Sequence, residues 1–456
     1  MDTPQGHNPA HLTPDPVGDV APEFSTERST AGRRGFLSAF ALDFTPLKVS
    51  RDYRLLFTSQ SVAYFGAMMS FVVLPWQMYQ LTHSSLAVGL LGAAEFVPLI
   101  TMAFIGGALA DYVDRRRLVL IAESLTALGS ATLVLNSLLP HPKVWILFVC
   151  ATAFAALNGL KRPSLEALVP KLLPAELMPA VAALRSIGGT IAGIAGPALG
   201  GVLAATVGPA LAYSIDFSTF AISLFALWQM RATPPPEAAD RPSLRSIAEG
   251  LRYAKSRPEL MGTYLIDINA MFFGMPMALF PAIATQFGNA SVGLLYAAPS
   301  AGALLATLAS GWTARVHRHG LAVTIAAGLW GVAIIGFGFA KYLWLALFCL
   351  VLAGGADMVS GLFRMTIWNQ TIPNHLRGRL AGIEMVSYMT GPLLGNAEAG
   401  IVASVFSIRT SVLSGGVLCV VGTVLLAAMF PAFLRYDGHE GLARKKREEA
   451  ERLAAS

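Results

Sequence analysis

About twelve long apolar stretches, each able to cross a lipid bilayer as a helix, dominate this sequence of 456 residues. A membrane-spanning helix needs about 20 mainly apolar residues. Charged residues make up 13% of the chain, compared with about 25% in a typical soluble domain. They cluster in short segments between the apolar stretches. The pattern therefore predicts an all-α membrane protein with twelve transmembrane helices.

The spans are placed where long apolar runs are bounded by charged or turn-forming residues. The first six are predicted at Leu55–Leu81, Val88–Ala110, Leu118–Leu139, Val144–Leu160, Ala180–Val207 and Pro209–Met230. The last six are predicted at Leu260–Gln286, Ser291–Ala314, Leu321–Ala340, Tyr342–Trp368, Leu380–Phe406 and Thr410–Leu434. Membrane helices tolerate the Gly and Pro residues within these runs, because small residues let helices pack closely.

The polar segments between and around the spans define the domain organisation. Residues 1–50 are rich in Pro, Ser, Thr and Gly, which predicts a disordered cytoplasmic tail. Arg33 and Arg34 leave a twin-arginine export signal as the alternative, although Asp43 interrupts the apolar run that follows. Residues 51–230 and 260–435 are predicted to form two six-helix bundles. Residues 231–259 are predicted to be a cytoplasmic linker with an amphipathic helix, and residues 436–456 a basic cytoplasmic tail.

Basic residues are distributed unequally between the two sets of loops. One set contains Arg115, Arg116, Arg117, Lys161, Arg162, Lys171, the basic linker, Arg315, Arg318, Arg377 and Arg379. The opposite set contains only Lys143, Lys341 and Arg409. Because basic loops stay in the cytoplasm, the first set is predicted to be cytoplasmic. Both termini of this multi-pass protein of the cell membrane are then cytoplasmic, as an even number of spans requires.

The second half of the chain repeats features of the first. Val88-Gly89-Leu90-Leu91 recurs 204 residues later as Val292-Gly293-Leu294-Leu295, and Gly107 corresponds to Gly311 at the same offset. Gly196-Pro197 recurs 195 residues later as Gly391-Pro392. A shared offset near half the chain length predicts two parallel six-helix repeats. In transporters built in this way, the substrate site lies between the repeats near the midplane of the membrane.

The stretch Gly107–Arg117, between the second and third spans, has residues suited to a conformational gate. Gly107 permits close helix contact, and Asp111 can accept hydrogen bonds from a helix N-terminus or pair with an arginine. Arg115 and Arg116 complete the motif. The stretch resembles the signature loop of the major facilitator superfamily, although Tyr112 and Asp114 replace its usual basic residue and glycine. A plain positively charged loop is the alternative.

A second motif lies in the fifth span. Its residues are Gly196-Pro197-Ala198-Leu199-Gly200-Gly201. The small residues favour close packing, and Pro197 favours a bend. The motif resembles the glycine-proline motif of exporters in the same superfamily, with ordinary helix packing as the alternative. Stretches such as Val292–Ala298 resemble the superfamily's siderophore, macrolide and multidrug exporters. The resemblance implies the major facilitator fold and the export of a small amphiphilic molecule.

Eight charged residues lie within or close to the predicted spans, where a central charge costs about 2.5–3.5 kcal/mol. They are Glu95, Glu123, Asp216, Asp267, Asp357, Arg364, Glu384 and Glu398. The candidates for proton coupling or the substrate cavity are Glu95, Asp216, Asp267, Asp357 and Arg364. Asp267 and Glu95 are the favoured coupling residues. Asp357 and Arg364 are seven residues apart on one helix, so each is expected to pair with another helix. A structural hydrogen bond is the alternative for each.

Uncharged side chains provide further candidates for the cavity wall. They are Gln60, Tyr64, Trp76, Gln77, Met271, Phe272 and Phe273. The alternative is that they pack against other helices or face lipid.

Several common mechanisms lack their sequence signals. The chain has no phosphate-binding loop for ATP, no paired-histidine metal motif and no nucleophile elbow, so we expect neither an enzyme nor a bound cofactor or metal. We expect a monomeric secondary transporter that exports a small molecule by proton antiport and alternating access. Its partners are substrate, protons and lipid, and not nucleic acid. An importer on the same scaffold and a transport-inactive sensor or accessory protein are the alternatives.

Overall fold

The structure is a computed structural model that describes residues 43–109, 112–231, 251–373 and 376–455. The first six long helices are α1 (Arg51–Thr82), α2 (Ser85–Leu109), α3 (Arg115–Ser137), α4 (Val144–Leu172), α5 (Met178–Thr206) and α6 (Pro209–Trp228). The next six are α7 (Pro258–Phe287), α8 (Ser291–Leu308), α9 (His319–Phe339), α10 (Leu343–Thr371), α11 (Arg377–Val405) and α12 (Ile408–Met429). A last helix, α13, is Gly438–Ala455.

Eleven helices of the described chain are long and apolar enough to cross a membrane. The twelfth, α11, has 29 residues and is therefore about 44 Å long. Its polar side chains include Glu384, Asn396 and Glu398. The helices agree with the twelve predicted spans in number and order, which confirms the predicted all-α membrane fold.

The predicted end of the fourth span at Leu160 is wrong. Helix α4 continues for twelve more residues to Leu172. Lys161 and Arg162 therefore lie on a helix and not in a loop. The Nζ atom of Lys161 lies 3.5 Å from Oε1 of Glu123 on α3. Because this carboxylate compensates the charge, the helix can continue past the end of its apolar run.

Helix α7 is interrupted, although the sequence predicts a continuous span. Its helical segments Pro258–Phe273 and Phe280–Phe287 are separated by a break at Gly274, where Trp330 Nε1 donates a 2.9 Å hydrogen bond to the Gly274 carbonyl oxygen. The backbone N–H of Ala278 donates to Asn396 Oδ1 at 2.9 Å. These side chains satisfy backbone groups that the break leaves without helical partners, which is a requirement inside a membrane.

The helix contacts of the first half recur in the second. Helix α1 packs against α5 and α6, as α7 packs against α11 and α12. Helix α4 packs against α2 and α3, as α10 packs against α8 and α9, and α3 packs against α6, as α9 packs against α12. Between the halves, α2 packs against α11, and α5 packs against α8. These two contacts correspond to each other, because α8 is the counterpart of α2 and α11 is the counterpart of α5. The predicted two parallel six-helix repeats are confirmed.

Helix α13 is attached to the second half of the protein. Arg444 contacts Glu259 at the start of α7, and Glu448 contacts Arg257 just before it. Lys445 Nζ donates to the carbonyl oxygen of Asn369 near the end of α10 at 3.0 Å. Burial lowers the pKa of Lys445 below its ordinary value. The predicted basic tail is therefore helical in most of its described part and packs against the bundle.

Two other predicted segments lie largely outside the described residues. Of the predicted N-terminal tail, only residues 43–50 are described, and Thr45–Val49 form a short helix. The twin-arginine alternative at Arg33 and Arg34 lies outside the described part. Of the predicted linker helix, only its end is described, and residues 251–255 are helical.

Replacing Arg444 by Ala should lower the thermal unfolding temperature of the purified protein. Glu259 is 5% exposed, and a buried polar group left without its partner costs about 1–3 kcal/mol, or more when it is charged. Differential scanning fluorimetry in detergent measures the change. Arg447→Ala on the exposed side of α13 is the matched control and should have little effect. Equal losses in the two variants would contradict a specific role for the Arg444–Glu259 contact.

Candidate transport cavity and its charged groups

The two halves approach most closely on the side of the bundle opposite the chain termini. A Cβ atom added to Gly201 of α5 would lie 2.3 Å from the backbone nitrogen of Gly293 in α8. A Cβ added to Gly89 of α2 would lie 2.5 Å from the carbonyl oxygen of Asn396 in α11. Because larger residues would clash with these backbones, the glycines permit the close contact that joins the halves on this side.

The glycines on the terminus side, where α1 begins and α13 lies, lack such contacts. A Cβ at Gly107 of α2, at Gly189 of α5 or at Gly311, just after α8, would meet no atom of the described structure within 4 Å. These positions therefore have no close contact with the opposite half. The close contact predicted at Gly107 is absent here. It occurs instead at Gly106, where a Cβ would lie 2.3 Å from the carbonyl oxygen of Leu160 in α4.

The signature loop contacts helix ends within the first half. Arg115 Nη1 donates to the carbonyl oxygen of Ala167 in α4 at 3.2 Å. Arg116 Nε donates to the carbonyl oxygen of Leu227 at 2.8 Å, near the end of α6. Both arginines interact favourably with the negative ends of helices. Asp114 caps α3 by accepting a 2.8 Å hydrogen bond from the Arg116 backbone. Asp111 lies outside the described residues, so its latch role stays a prediction.

The glycine-proline motif packs α5 between α1 and the other half of the protein. Cβ atoms at Gly196 and Gly200 would lie 2.6 Å from Met68 Cβ and 2.9 Å from Met69 Cα, both on α1. Gly201 and the carbonyl oxygen of Pro197 face Gly293 of α8. The motif therefore has the close packing predicted for its small residues. Its role in export stays a prediction.

A charged group joins α7 and α10 in the second half. Arg364 contacts Asp267, whose side chain is 4% exposed, and its Nη2 atom lies 3.7 Å from Oδ1 of Asp357. The prediction that Arg364 pairs with another helix is confirmed by Asp267. The prediction that Asp357 does not pair along its own helix is wrong, because the long side chain of Arg364 spans the two helical turns between Asp357 and Arg364.

The geometry of this group allows a proton to change its net charge. Asp267 and Asp357 line a small pocket that also includes Met271 and Trp330. The side chain of Asp357 is 42% exposed. The Oδ2 atom of Asp267 is buried and has no hydrogen-bond partner among the described residues. Two carboxylates around one guanidinium carry one negative charge, and a single bound proton neutralises it. We call this the Asp267–Arg364–Asp357 group.

Asp216 has a different environment and lies buried in the first half. It is 1% exposed and accepts hydrogen bonds from Ser70 on α1 at 2.6 Å and Ser130 on α3 at 2.8 Å. Its carboxylate therefore connects three helices. This arrangement agrees with the structural alternative for Asp216.

Glu123 forms a second polar group in the first half. Its side chain is fully buried and accepts a 2.7 Å hydrogen bond from Gln60 Nε2, besides its ion pair with Lys161 and a contact with Ser223. The sequence identified Glu123 as a membrane charge, but did not identify Lys161 as its partner. The two residues are 38 positions apart in the chain, and only the packing of α3 against α4 brings them together.

Glu95 lies partly exposed on α2, one turn beyond Gly92, where α2 contacts α11. Within the described part of the chain, no hydrogen bond or ion pair joins Glu95 to another side chain. The structure therefore brings Asp267, Asp357 and Arg364 together, and no described contact connects Glu95 or Asp216 to them.

The residues predicted for the cavity wall have different environments. Tyr64 is 44% exposed on α1. Trp76 and Gln77 are buried, and Gln77 accepts a 3.0 Å hydrogen bond from Tyr213. Met271 is buried and lines the small pocket beside Asp267. Their role in a substrate cavity stays a prediction.

Two six-helix repeats with matching helix contacts, joined by close glycine contacts on the side opposite the termini, define a major facilitator-type membrane transporter. The chain belongs to the family described as transmembrane secretion effector, which matches residues 41–446. It is 29% identical over 395 residues to the enterobactin exporter EntS of Citrobacter koseri, with 85% of this chain and 94% of the relative covered. It is also 29% identical over 398 residues to EntS of Escherichia coli, with 86% and 95% covered.

Solved transporter structures share the fold. The nucleoside transporter NupG gives a TM-score of 0.66 at 13% identity, covering 85% of this chain and 100% of that one. A bacterial homolog of the human lysosomal transporter Spinster, solved in an inward-facing and unoccupied conformation, gives 0.65 at 15% identity, covering 87% and 98%. The family match and the similarity to the exporters make the chain a multi-pass transporter, and they confirm the prediction that it is not an enzyme.

Proposed function

We propose that this transporter exports a small amphiphilic molecule, either a siderophore or an antibiotic-like drug, by proton antiport. The main observation is that glycine contacts join the halves on one side, while the glycines of the terminus side contact no atom of the other half. A pair of repeats that can exchange these two arrangements exposes one site alternately to each side. The similarity to enterobactin exporters supports export and the siderophore class.

The direction of the open side supports loading from the cytoplasm. The positive-inside rule assigns the terminus side, with its basic segments, to the cytoplasm. With that orientation, the conformation receives substrate from the cytoplasm and is closed to the exterior. An exporter loads its substrate in this state. We propose that a monomer carries out the cycle, because each half of one chain supplies one wall of the space.

The Asp267–Arg364–Asp357 group is our proposal for the coupling site. Asp357 is accessible to protons, and one bound proton removes the net charge of the group. A change in charge at this position would alter its contacts with α7 and with the substrate. Glu95 remains a second candidate, because protonating it breaks no ion pair with the described residues.

The test is flux into inverted membrane vesicles under an imposed pH gradient, with a panel of siderophores and amphiphilic antibiotics. An acid vesicle interior should drive accumulation of at least one compound. Asp357→Asn should reduce this proton-driven accumulation by about tenfold or more, as expected for a lost coupling step. It should leave exchange of labelled for unlabelled compound intact. Asp43→Asn, outside the membrane helices, is the control and should leave both rates unchanged.

The outcomes separate the alternatives. Proton-driven efflux from the inverted vesicles would indicate an importer on the same scaffold. No flux of any compound, with a folded protein, would indicate a sensor or accessory protein. Flux that is independent of the pH gradient would contradict proton antiport and leave export intact.

A further inference from the structure

Arg162 lies between the two halves of the transporter. Its guanidinium carbon is 5.5 Å from the ring centroid of Tyr388 on α11, in the second half. Arg162 itself belongs to α4 of the first half, so this contact places its guanidinium between the two halves. On α1, also in the first half, the ring of Tyr64 is 44% exposed.

The charge of Arg162 is left uncompensated by its described neighbours. Glu166 lies one turn further along α4, but its two oxygens accept hydrogen bonds from Arg185 on α5, at 2.7 and 3.1 Å. Lys161, next to Arg162 in the chain, is paired with Glu123 instead. Among the described residues, no carboxylate lies within ion-pair distance of Arg162. Arg162, Glu166 and Arg185 together carry one excess positive charge on the wall of the cavity.

The side chains around Arg162 fit a particular kind of ligand. A guanidinium presents a planar fork of N–H donors that matches a carboxylate, and it also stacks on aromatic rings. The Tyr388 ring beside it, and the exposed ring of Tyr64 on α1, offer faces and edges to a flat apolar ring. An aromatic ring that carries an oxyanion would use both features together. An aliphatic cation could use only the ring faces and would be repelled by the excess positive charge.

We propose that Arg162, Tyr64 and Tyr388 bind an aromatic oxyanion of the transported molecule, of the benzoate type. The inference deepens the proposed export function. It rests on that function only in taking the bound ligand to be the transported molecule. The binding step itself can be measured without transport. Tyr388 comes from the opposite half, so the ligand would contact both repeats, and the site would change shape when the repeats move.

The probe is salicylate, and its neutral counterpart is salicylamide. Binding of each to the full-length protein in lipid nanodiscs is measured by equilibrium dialysis. Arg162→Gln should weaken saturable salicylate binding by about tenfold or more, the loss of a charge-assisted hydrogen-bond pair. Binding of salicylamide should change little. Arg162→Lys should restore only part of the affinity, because lysine keeps the charge and lacks the planar fork.

The controls use residues of the same chemistry. Arg409 also stacks on an aromatic ring, with its guanidinium carbon 5.2 Å from the Phe339 centroid. Arg409→Gln should leave salicylate binding unchanged. Arg185→Gln should weaken binding, because it frees Glu166 to pair with Arg162. Glu166→Gln should not weaken it.

Three results would overturn the inference. They are an absence of saturable salicylate binding by the unmodified protein, unchanged binding in Arg162→Gln, and equal weakening of salicylate and salicylamide. If any of these occurred while the vesicles still accumulated a compound, the site assignment would fail and the export function would stand. If salicylate bound as expected but no compound moved, the export function would fail and the binding site would stand.

Discussion

Asp267→Asn is expected to destabilise the protein strongly, and adding Arg364→Gln is expected to recover most of the loss. Removing one partner of a buried ion pair costs about 3–5 kcal/mol, because the other charge stays buried without compensation. Asp267 is 4% exposed and the side chain of Arg364 is 11% exposed, so water cannot replace the missing carboxylate. Asp357, at 3.7 Å from Arg364, compensates only part of the charge. Thermal unfolding in detergent measures all three proteins.

Asp357→Asn is the matched control for this experiment. It removes the same kind of carboxylate from the same arginine, but from a side chain that is 42% exposed. Its loss of stability should therefore be clearly smaller than that of Asp267→Asn. A double variant that is no more stable than Asp267→Asn would show that the damage does not come from an uncompensated arginine. We would then assign Asp267 a packing role instead.

The fold could be predicted because its dominant signal is local. Most of the transmembrane helices are continuous apolar runs, and the repeated motifs indicated the relation between the halves. The predicted helix boundaries are wrong where a side chain far away in the sequence supplies a counter-charge or a hydrogen-bond partner that the local sequence lacks. Lys161 stays on α4 because Glu123 compensates it. The break in α7 persists because Trp330 and Asn396 satisfy its backbone groups. Neither partner can be identified from the sequence of the helix itself.

The charged sites were predicted as residues but not as groups. The costs of membrane charges identified Asp267, Asp357 and Arg364, yet 97 positions separate Asp267 from Arg364, and only helix packing brings them together.

Helix rotation explains the error at Gly107. Adjacent residues point about 100° apart around a helix, so a motif does not determine which of two neighbouring glycines contacts α4. The N-cap role of Asp114 can be predicted from the local sequence, because an aspartate directly before a helix is a common N-cap.

Gly293→Val is expected to prevent the side opposite the termini from closing and thereby to abolish export. A Cβ at Gly293 would lie 2.5 Å from the carbonyl oxygen of Pro197 and 2.7 Å from that of Ala198. Both obstacles are backbone atoms of α5, so the contact between α5 and α8 must separate. Overpacking costs about 1–3 kcal/mol, enough to shift the balance of two conformations by about tenfold or more. Export of the compound found in the vesicle panel measures the functional loss.

Labelling distinguishes this mechanism from simple misfolding. Tyr64→Cys places a thiol on the exposed wall of the cavity, while Cys150, Cys349 and Cys419 are buried. A membrane-impermeant maleimide should reach this thiol from the terminus side in the Tyr64→Cys background. With Gly293→Val added, it should react from the opposite side. Gly328→Val on α9, where a Cβ meets no described atom within 4 Å, should change neither labelling nor export. Because the two glycine variants add the same side chain, a difference between them reports the α5–α8 contact. Normal export by Gly293→Val would mean that this contact is not the one that opens and closes during transport.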